Sequence, residues 1–373
     1  MRTKNLTLVI TLGLLLAACS CDKQQGGEVS VTDKIELSVK ELALDAAGTP
    51  RTIKVTADHE WGTRVSDKWL RVTPSSSTDR ATSITISAEP NPLGTPRTSE
   101  VSFMAGGARA SLSVTQEGGE ASADDPIAPE GYKLVWHDEF ASGSEPDPTY
   151  WTHEVQGAGW VNNELQNYVA GEINGQRVTE VSNGTLKITA LKEGGKVYSG
   201  RIYAQVSTGW RYGIFEAKIK LPTGKGTWPA FWMMPVNNDF AANPWPKCGE
   251  IDIMEEVGYN QNFTSSSIHT KSFNHVMNTQ KTAERKTDKA DSEFHVYKLE
   301  WTKDYIQTYV DDEPLLRFDN DGAGNVDTWP FDKPFYLILN LAWGGAWGGA
   351  HGVDEAALPA TMEVDYIRVY QAK

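Results

Sequence analysis

The stretch Cys248-Gly249-Glu250-Ile251-Asp252-Ile253-Met254-Glu255-Glu256-Val257-Gly258 decides the reading of this chain. Taken as a β-strand, in which side chains alternate between faces, it sends Glu250 and Asp252 one way and Ile251 and Ile253 the other. Unbroken alternation would bring Met254 onto the acidic face next. Glu255 joins the acids only if one extra residue is inserted, so the spacing predicts a β-bulge at Ile253-Met254. Three carboxylates crowded on one face suffer desolvation and mutual repulsion, an arrangement found mostly where chemistry requires it. The plainer alternative is an acidic strand with one wet face. Glu256, one residue further along, should face the opposite side from Glu255.

The 373 residues are 39% hydrophobic and 23% charged, ordinary values for globular domains and enough for two cores. A net charge of -14 argues against nucleic acid or an anionic membrane surface as a partner. Of the 13 tryptophans, all but Trp61 and Trp69 follow residue 130, so the later part of the chain carries the aromatic surface. The start, Met1-Arg2-Thr3-Lys4 followed by an apolar run to Leu16, has the form of a secretory signal over residues 1–18 and is too short to span a bilayer. It ends Leu16-Ala17-Ala18-Cys19, which resembles a bacterial lipobox. Lipidation of Cys19 would anchor the protein to a membrane without spanning it, and the expected location is the bacterial outer membrane, exposed at the cell surface. Cys21 and Cys248 are the other cysteines, so no disulfide framework is expected.

Residues 19–30 read as a polar tether, and residues 31–117 as a first domain. Strand-like runs at residues 35–39, 51–57, 69–72, 83–87, 100–103 and 110–115, separated by Pro-, Ser- and Gly-rich turns, suggest an immunoglobulin-like sandwich. Trp61, Trp69-Leu70-Arg71-Val72-Thr73-Pro74, Asn91, Arg97 and Val114-Thr115-Gln116 resemble the Bacteroidetes-associated carbohydrate-binding often N-terminal (BACON) domain. That resemblance implies either glycan binding or a rigid spacer. The spacer is favoured here, because Trp61 and Trp69 serve a core as readily as a binding platform. Residues 118–130 read as a linker, leaving 131–373 as a second domain.

The second domain alternates strand signals, as at residues 213–220, 335–341 and 361–370, with Gly, Pro and Asn turns. An all-β domain of this size is most economically two stacked antiparallel sheets. Six stretches resemble glycoside hydrolase family 16: Leu134-Val135-Trp136-His137-Asp138-Glu139-Phe140, Asn162-Asn163-Glu164-Leu165-Gln166-Asn167-Tyr168, Gly213-Ile214-Phe215-Glu216-Ala217-Lys218-Ile219-Lys220, Trp228-Pro229-Ala230-Phe231-Trp232-Met233, Gly249-Glu250-Ile251-Asp252-Ile253-Met254-Glu255 and Val364-Asp365-Tyr366-Ile367-Arg368-Val369-Tyr370. The resemblance implies a β-jelly roll with a concave-face cleft for a β-linked polysaccharide. The E-x-D-x-x-E spacing looks like the bulged branch, which holds laminarinase-type β-1,3-glucanases and also agarases, porphyranases and carrageenases.

By that resemblance Glu250 is the nucleophile, Glu255 the acid/base and Asp252 the helper between them. Retaining hydrolysis needs the two carboxyl groups within about 5 to 5.5 Å, so the long Glu side chains must lean together. Sugar recognition requires flat apolar platforms with polar groups beside them. Trp160, Trp228, Trp232, Trp343 and Trp347 are the candidate platforms, and Asn163, Glu164, Arg211, His269 and Asn340 the candidate polar partners. Trp228 and Trp232, four apart, share a strand face. Trp343 and Trp347 stand among glycines and read as loop residues that favour sugar subsites. His269 could equally be a hydrogen-bonded structural residue.

No His/Cys cluster has zinc-ligand spacing, and no catalytic cofactor is expected. Asp319-Asn320-Asp321-Gly322 resembles the start of a calcium loop but reads as a turn. Many relatives hold a structural Ca²⁺, at positions matching Glu139, Gly184 and Asp365. The leading expectation is a monomeric, membrane-anchored, retaining endo-glucanase acting on β-1,3- or mixed-linkage β-1,3/1,4-glucan. The alternatives are a same-fold hydrolase of sulfated galactans and a non-catalytic glycan-binding lipoprotein.

Overall fold

The computed structural model describes residues 33–373 apart from 66, 68, 92–95, 120–125 and 205–208. Cys19, the leader and the tether lie outside the described residues. Nearly all of the regular structure is strand. The only α-helix among the described residues is the single turn Gly345–Gly348. The chain divides into two compact units, one comprising residues 33–42, 51–86 and 99–114, the other residues 115–373 with the short segments 43–50 and 87–98.

The N-terminal strands form a four-stranded sheet, ordered Ile35–Leu37, Arg51–Ala57, Ala81–Ala88, Leu70–Thr73. They also form a five-stranded sheet, ordered Glu41–Leu44, Ala108–Gln116, Arg97–Ala105, Trp61–Val65, Ser76–Ser77. Alternation decides the core: Ile53, Val55 and Ala57 point inward along one strand, Val101, Phe103 and Ala105 along another. Trp61 is 1% exposed and packs 6.0 Å from Phe103, so it belongs to this core.

The second unit stacks two sheets, as expected for the jelly roll. The larger is ordered Gln166–Tyr168, Lys196–Ser199, Thr185–Glu193, Ala360–Ala372, Gly213–Lys220, His295–Trp301, Tyr305–Val310, Glu313–Asp319, with Tyr132–Asp138 and Thr179–Ser182 attached beside this path. The smaller, seven-stranded sheet is ordered Trp151–His153, Arg201–Ala204, Phe335–Trp343, Thr227–Pro235, Glu250–Glu255, Phe263–His269, Lys281–Lys286. Between them lies one apolar core in which Trp136, Trp210, Phe215, Trp301, Phe335 and Phe331 pack ring against ring in sequence. The other face of the seven-stranded sheet, here called the cleft face, carries the acids.

The stretch at residues 319–322 is a turn: Asp321 Oδ1 accepts from Ala323 N at 2.9 Å, and Gly322 adopts φ +68°.

Candidate active site

The strand Glu250–Glu255 is bulged where alternation required it. On one neighbouring strand, Glu255 and Met254 pair with Ala230 and Phe231, while Asp252 pairs with Trp232, which leaves Ile253 without an opposite residue. On the other side Asp252 faces Ser267 and Glu255 faces Ser265, three residues of advance against two. Ser266 fills the irregularity by donating its hydroxyl to Ile253 O at 2.7 Å. Ile251, Ile253 and Met254 are all fully buried in the core. The extra residue therefore points inward, and Glu250, Asp252 and Glu255 share the cleft face.

Register across the sheet builds the rest of the site. One row runs Arg201, Asn340, Ala230, Glu255, Ser265; the next runs Tyr203, Ile338, Trp232, Asp252, Ser267. Glu250 pairs with His269, whose Nε2 lies 3.2 Å from Asp252 Oδ2 and 3.9 Å from Glu250 Oε1. Trp228 donates its indole N–H to Glu255 Oε1 at 2.9 Å. Burial first, then repulsion from Asp252, pushes both Glu250 and Glu255 up to about 8, and burial raises Asp252 well above its usual range. Such a set holds protons at neutral pH, which suits a general acid. An ionised nucleophile then requires that the proton reside on Asp252 rather than on Glu250.

Glu256 faces away from the cleft, as alternation predicts. It is 1% exposed, its Oε2 accepts from Asn262 N at 2.9 Å, and burial pushes it up to about 8.

The predicted binding residues fall into three groups. Trp232, Asn340 and Glu164 form one chain. Trp232 donates to Asn340 Oδ1 at 2.7 Å, Asn340 Nδ2 donates to Tyr168 OH, and Tyr168 donates to Glu164 Oε2 at 3.1 Å. Asn162 and Gln166 also donate to Glu164, so this buried carboxylate ties the 157–168 loop to the sheet. Trp228 and Trp347 meet edge to face at 5.5 Å, both half-buried, and Trp160 is 42% exposed. Asn163 is exposed in a left-handed turn at φ +55°.

Two assignments need correction. Trp343 is not a loop residue but the last residue of the strand Phe335–Trp343, in phase with the core residues Leu337, Leu339 and Leu341. Its ring is 1% exposed and offers no platform. Arg211 lies exposed on the turn entering Gly213–Lys220 of the ten-stranded sheet, donating to Asp332 O, and takes no part in the acidic centre.

One residue escaped the sequence reading. Arg201, paired with Asn340, places its guanidinium 4.7 Å from the Trp232 ring centroid and 5.0 Å from that of Trp160. Its Nε is buried with no acceptor. Only the pairing of strands 139 residues apart brings it here, and no local motif announces it.

Of the three positions matched to a structural calcium, Glu139 and Asp365 have side chains that are already engaged. Both Glu139 oxygens accept from Arg368, at 2.8 and 2.9 Å, and Asp365 Oδ2 lies 2.6 Å from Lys218 Nζ. A dication held through these two side chains would have to displace Arg368 and Lys218, so a calcium ion here would rest on backbone carbonyls, the only donor Gly184 has.

Comparison with known proteins agrees with this geometry. The family described as Glycosyl hydrolases family 16 matches residues 166–368, and one described as BACON, a putative N-terminal binding domain, matches 59–117. A "Beta-glucanase" of Rhodothermus marinus is 44% identical over 64% of this chain and 85% of its own length. The "Glucan endo-1,3-beta-glucosidase A1" of Niallia circulans is 33% identical, over 65% of this chain but 38% of its own length. Among solved structures, the laminarinase from Rhodothermus marinus is 42% identical with a TM-score of 0.61, covering 65% of this chain and 98% of that one. With a match over more than half its length, this chain belongs to glycosyl hydrolases family 16.

Proposed function

We propose that the protein is an endo-acting hydrolase of β-1,3- and mixed-linkage β-1,3/1,4-glucans, working by double displacement with retention of configuration. The observation that carries this reading is the bulge at Ile253-Met254, which gathers Glu250, Asp252 and Glu255 on one face. Glu250 attacks the anomeric carbon as a carboxylate while Glu255 protonates the departing oxygen; water then enters on the proton's former path, with Glu255 as base. Asp252, 3.2 Å from His269, holds the proton that Glu250 must not carry. Trp228 fixes the Glu255 carboxyl from behind. Trp160, Trp232 and Trp347 are read as sugar platforms, and Asn163, Asn340, Glu164 and Arg201 as partners for hydroxyls or supports for those partners. The Cys19 lipid anchor, outer-membrane display, monomeric state and spacer role of the first domain belong to the same reading and rest on the sequence patterns above.

Relatives named for glucan substrates support the substrate class. They include the "Glucan endo-1,3-beta-glucosidase" of Cryptopygus antarcticus, 36% identical. A "Keratan-sulfate endo-1,4-beta-galactosidase" of Sphingobacterium multivorum, 34% identical, keeps a galactan reading in view. Chromatography of products from laminarin, barley glucan, agarose and carrageenan tests the choice. Internal cleavage of the two glucans is expected, and cleavage of a galactan alone would overturn it. Proton NMR of the first-formed reducing ends should show the β-anomer; an initial α-anomer would sink the double displacement.

A further inference from the structure

The acidic centre has a second chemical property, independent of sugar. Glu250 Oε1, Asp252 Oδ2 and His269 Nε2 lie within 4.8 Å of one another, the only such His/Cys/Asp/Glu group among the described residues. Neither carboxylate has a Lys or Arg ion pair among those residues; His269 is the one partner at ion-pair distance. Asp252 is 4% exposed, and its Oδ2 faces the imidazole without the alignment of a hydrogen bond, so it is a buried oxygen with no donor.

We propose that Glu250, Asp252 and His269 form a binding site for a zinc-like divalent cation, whose occupancy blocks the attacking carboxylate. The blocking half rests on the reading of Glu250 as nucleophile; the binding half does not. Zinc takes imidazole nitrogen at about 2.0–2.1 Å and carboxylate oxygen at about 2.0–2.2 Å in tetrahedral geometry, which sets donor atoms roughly 3.3–3.5 Å apart. The His269–Asp252 separation of 3.2 Å already meets that spacing, and the His269–Glu250 separation of 3.9 Å is about half an ångström wide of it. A Glu side chain closes such a gap by a small rotation. The Glu250 side chain is 15% exposed, which leaves a fourth position open to water. One imidazole with two carboxylates suits Zn²⁺, Co²⁺ or Cu²⁺, whereas Ca²⁺ and Mg²⁺ demand six or more oxygen ligands. The cation also removes the repulsion between two adjacent buried carboxylates. Bound there, it ties up the oxygen that must attack the sugar, so zinc competes with glucan.

Titration of the full chain with ZnCl₂ by calorimetry, and with Co²⁺ by visible absorption, reads binding without reference to activity. One metal per chain is expected, displaced by laminari-oligosaccharide, with no comparable heat from CaCl₂. His269→Ala and the isosteric Asp252→Asn should each weaken zinc by about tenfold or more, the scale set by disturbing a metal's ligand shell. His275→Ala, which removes a neighbouring ring but no ligand, should bind as the parent does; circular dichroism checks that each variant folds. Absence of stoichiometric zinc, or affinity unchanged from the parent in His269→Ala and Asp252→Asn, overturns the site while leaving the glucanase reading intact. Zinc held through these ligands with laminarin hydrolysis undiminished overturns the blocking half together with Glu250 as nucleophile.

Discussion

The two sheets of the second unit treat their carboxylates in opposite ways. On the ten-stranded sheet five acids have companions: Asp365 pairs with Lys218, Glu363 with Lys220, Glu139 with Arg368, while Glu216 accepts from Tyr366 and Glu300 from Tyr305 and Tyr309. On the cleft face of the seven-stranded sheet Glu250, Asp252 and Glu255 share one histidine and one indole N–H. Protonation follows. Burial alone would raise Glu139, but His137 and then Arg368 outweigh it and hold that carboxyl down to about 2, whereas Glu250 and Glu255 are pushed up to about 8. Compensated acids hold the fold together; uncompensated ones are available to react.

The sharpest way to break this contrast is Glu250→Ser. Hydrolysis of laminarin should fall by about 10⁴-fold or more, the scale seen when a covalent nucleophile is removed, while calorimetry still records oligosaccharide binding. Full residual turnover would end the assignment. Glu255→Gln should lower kcat by about 10²–10⁴-fold and recover partly on an aryl glycoside whose leaving group needs no proton. In the unmodified enzyme Glu255 must hold its proton to act as acid. With its affinity raised to about 8, kcat/KM is expected to fall as pH rises through about 8, and an alkaline limb near 5 would contradict that.

Glu256 gives a smaller effect of another kind. Its folded state holds the proton more tightly than the unfolded chain does, so its contribution to stability is full below the usual 4.5 and is lost as pH rises through about 8. Glu256→Gln should therefore gain in Tm over the parent as pH climbs across that window, with activity retained. A constant Tm difference across the window would show that the group does not titrate there. Smallest of all, Lys218→Ala opens one half-buried surface ion pair with Asp365 and should shift stability by less than about 1 kcal/mol, measured by urea denaturation. A larger loss would mean that the ten-stranded sheet depends on its charges more than surface pairs normally allow.

Much of this was legible in the sequence because it is local. The bulge follows from counting residues between acids, and Glu256 from one further step of the same count. Trp343 was misread because its flanking glycines looked like a loop, while the strand runs on to that residue in phase with Leu341. Arg201 was missed for the complementary reason. It reaches the cleft through pairing with Asn340, and register between distant strands leaves no trace in either segment alone. Arg211 carries the right charge, but its strand belongs to the other sheet.

The bulge has a consequence for the interior as well. Its neighbours advance two residues where this strand advances three, so removing Ile253 or Met254 would give Glu-x-Asp-x-Glu in plain alternation, with all three acids still facing outward and both ladders back in step. The catalytic surface therefore does not need the additional residue. What the extra residue supplies is volume: Ile251, Ile253 and Met254 fill the space between the sheets, where a regular strand would send two side chains. The irregularity beside the acids is also how this domain fits one more apolar group into its interior.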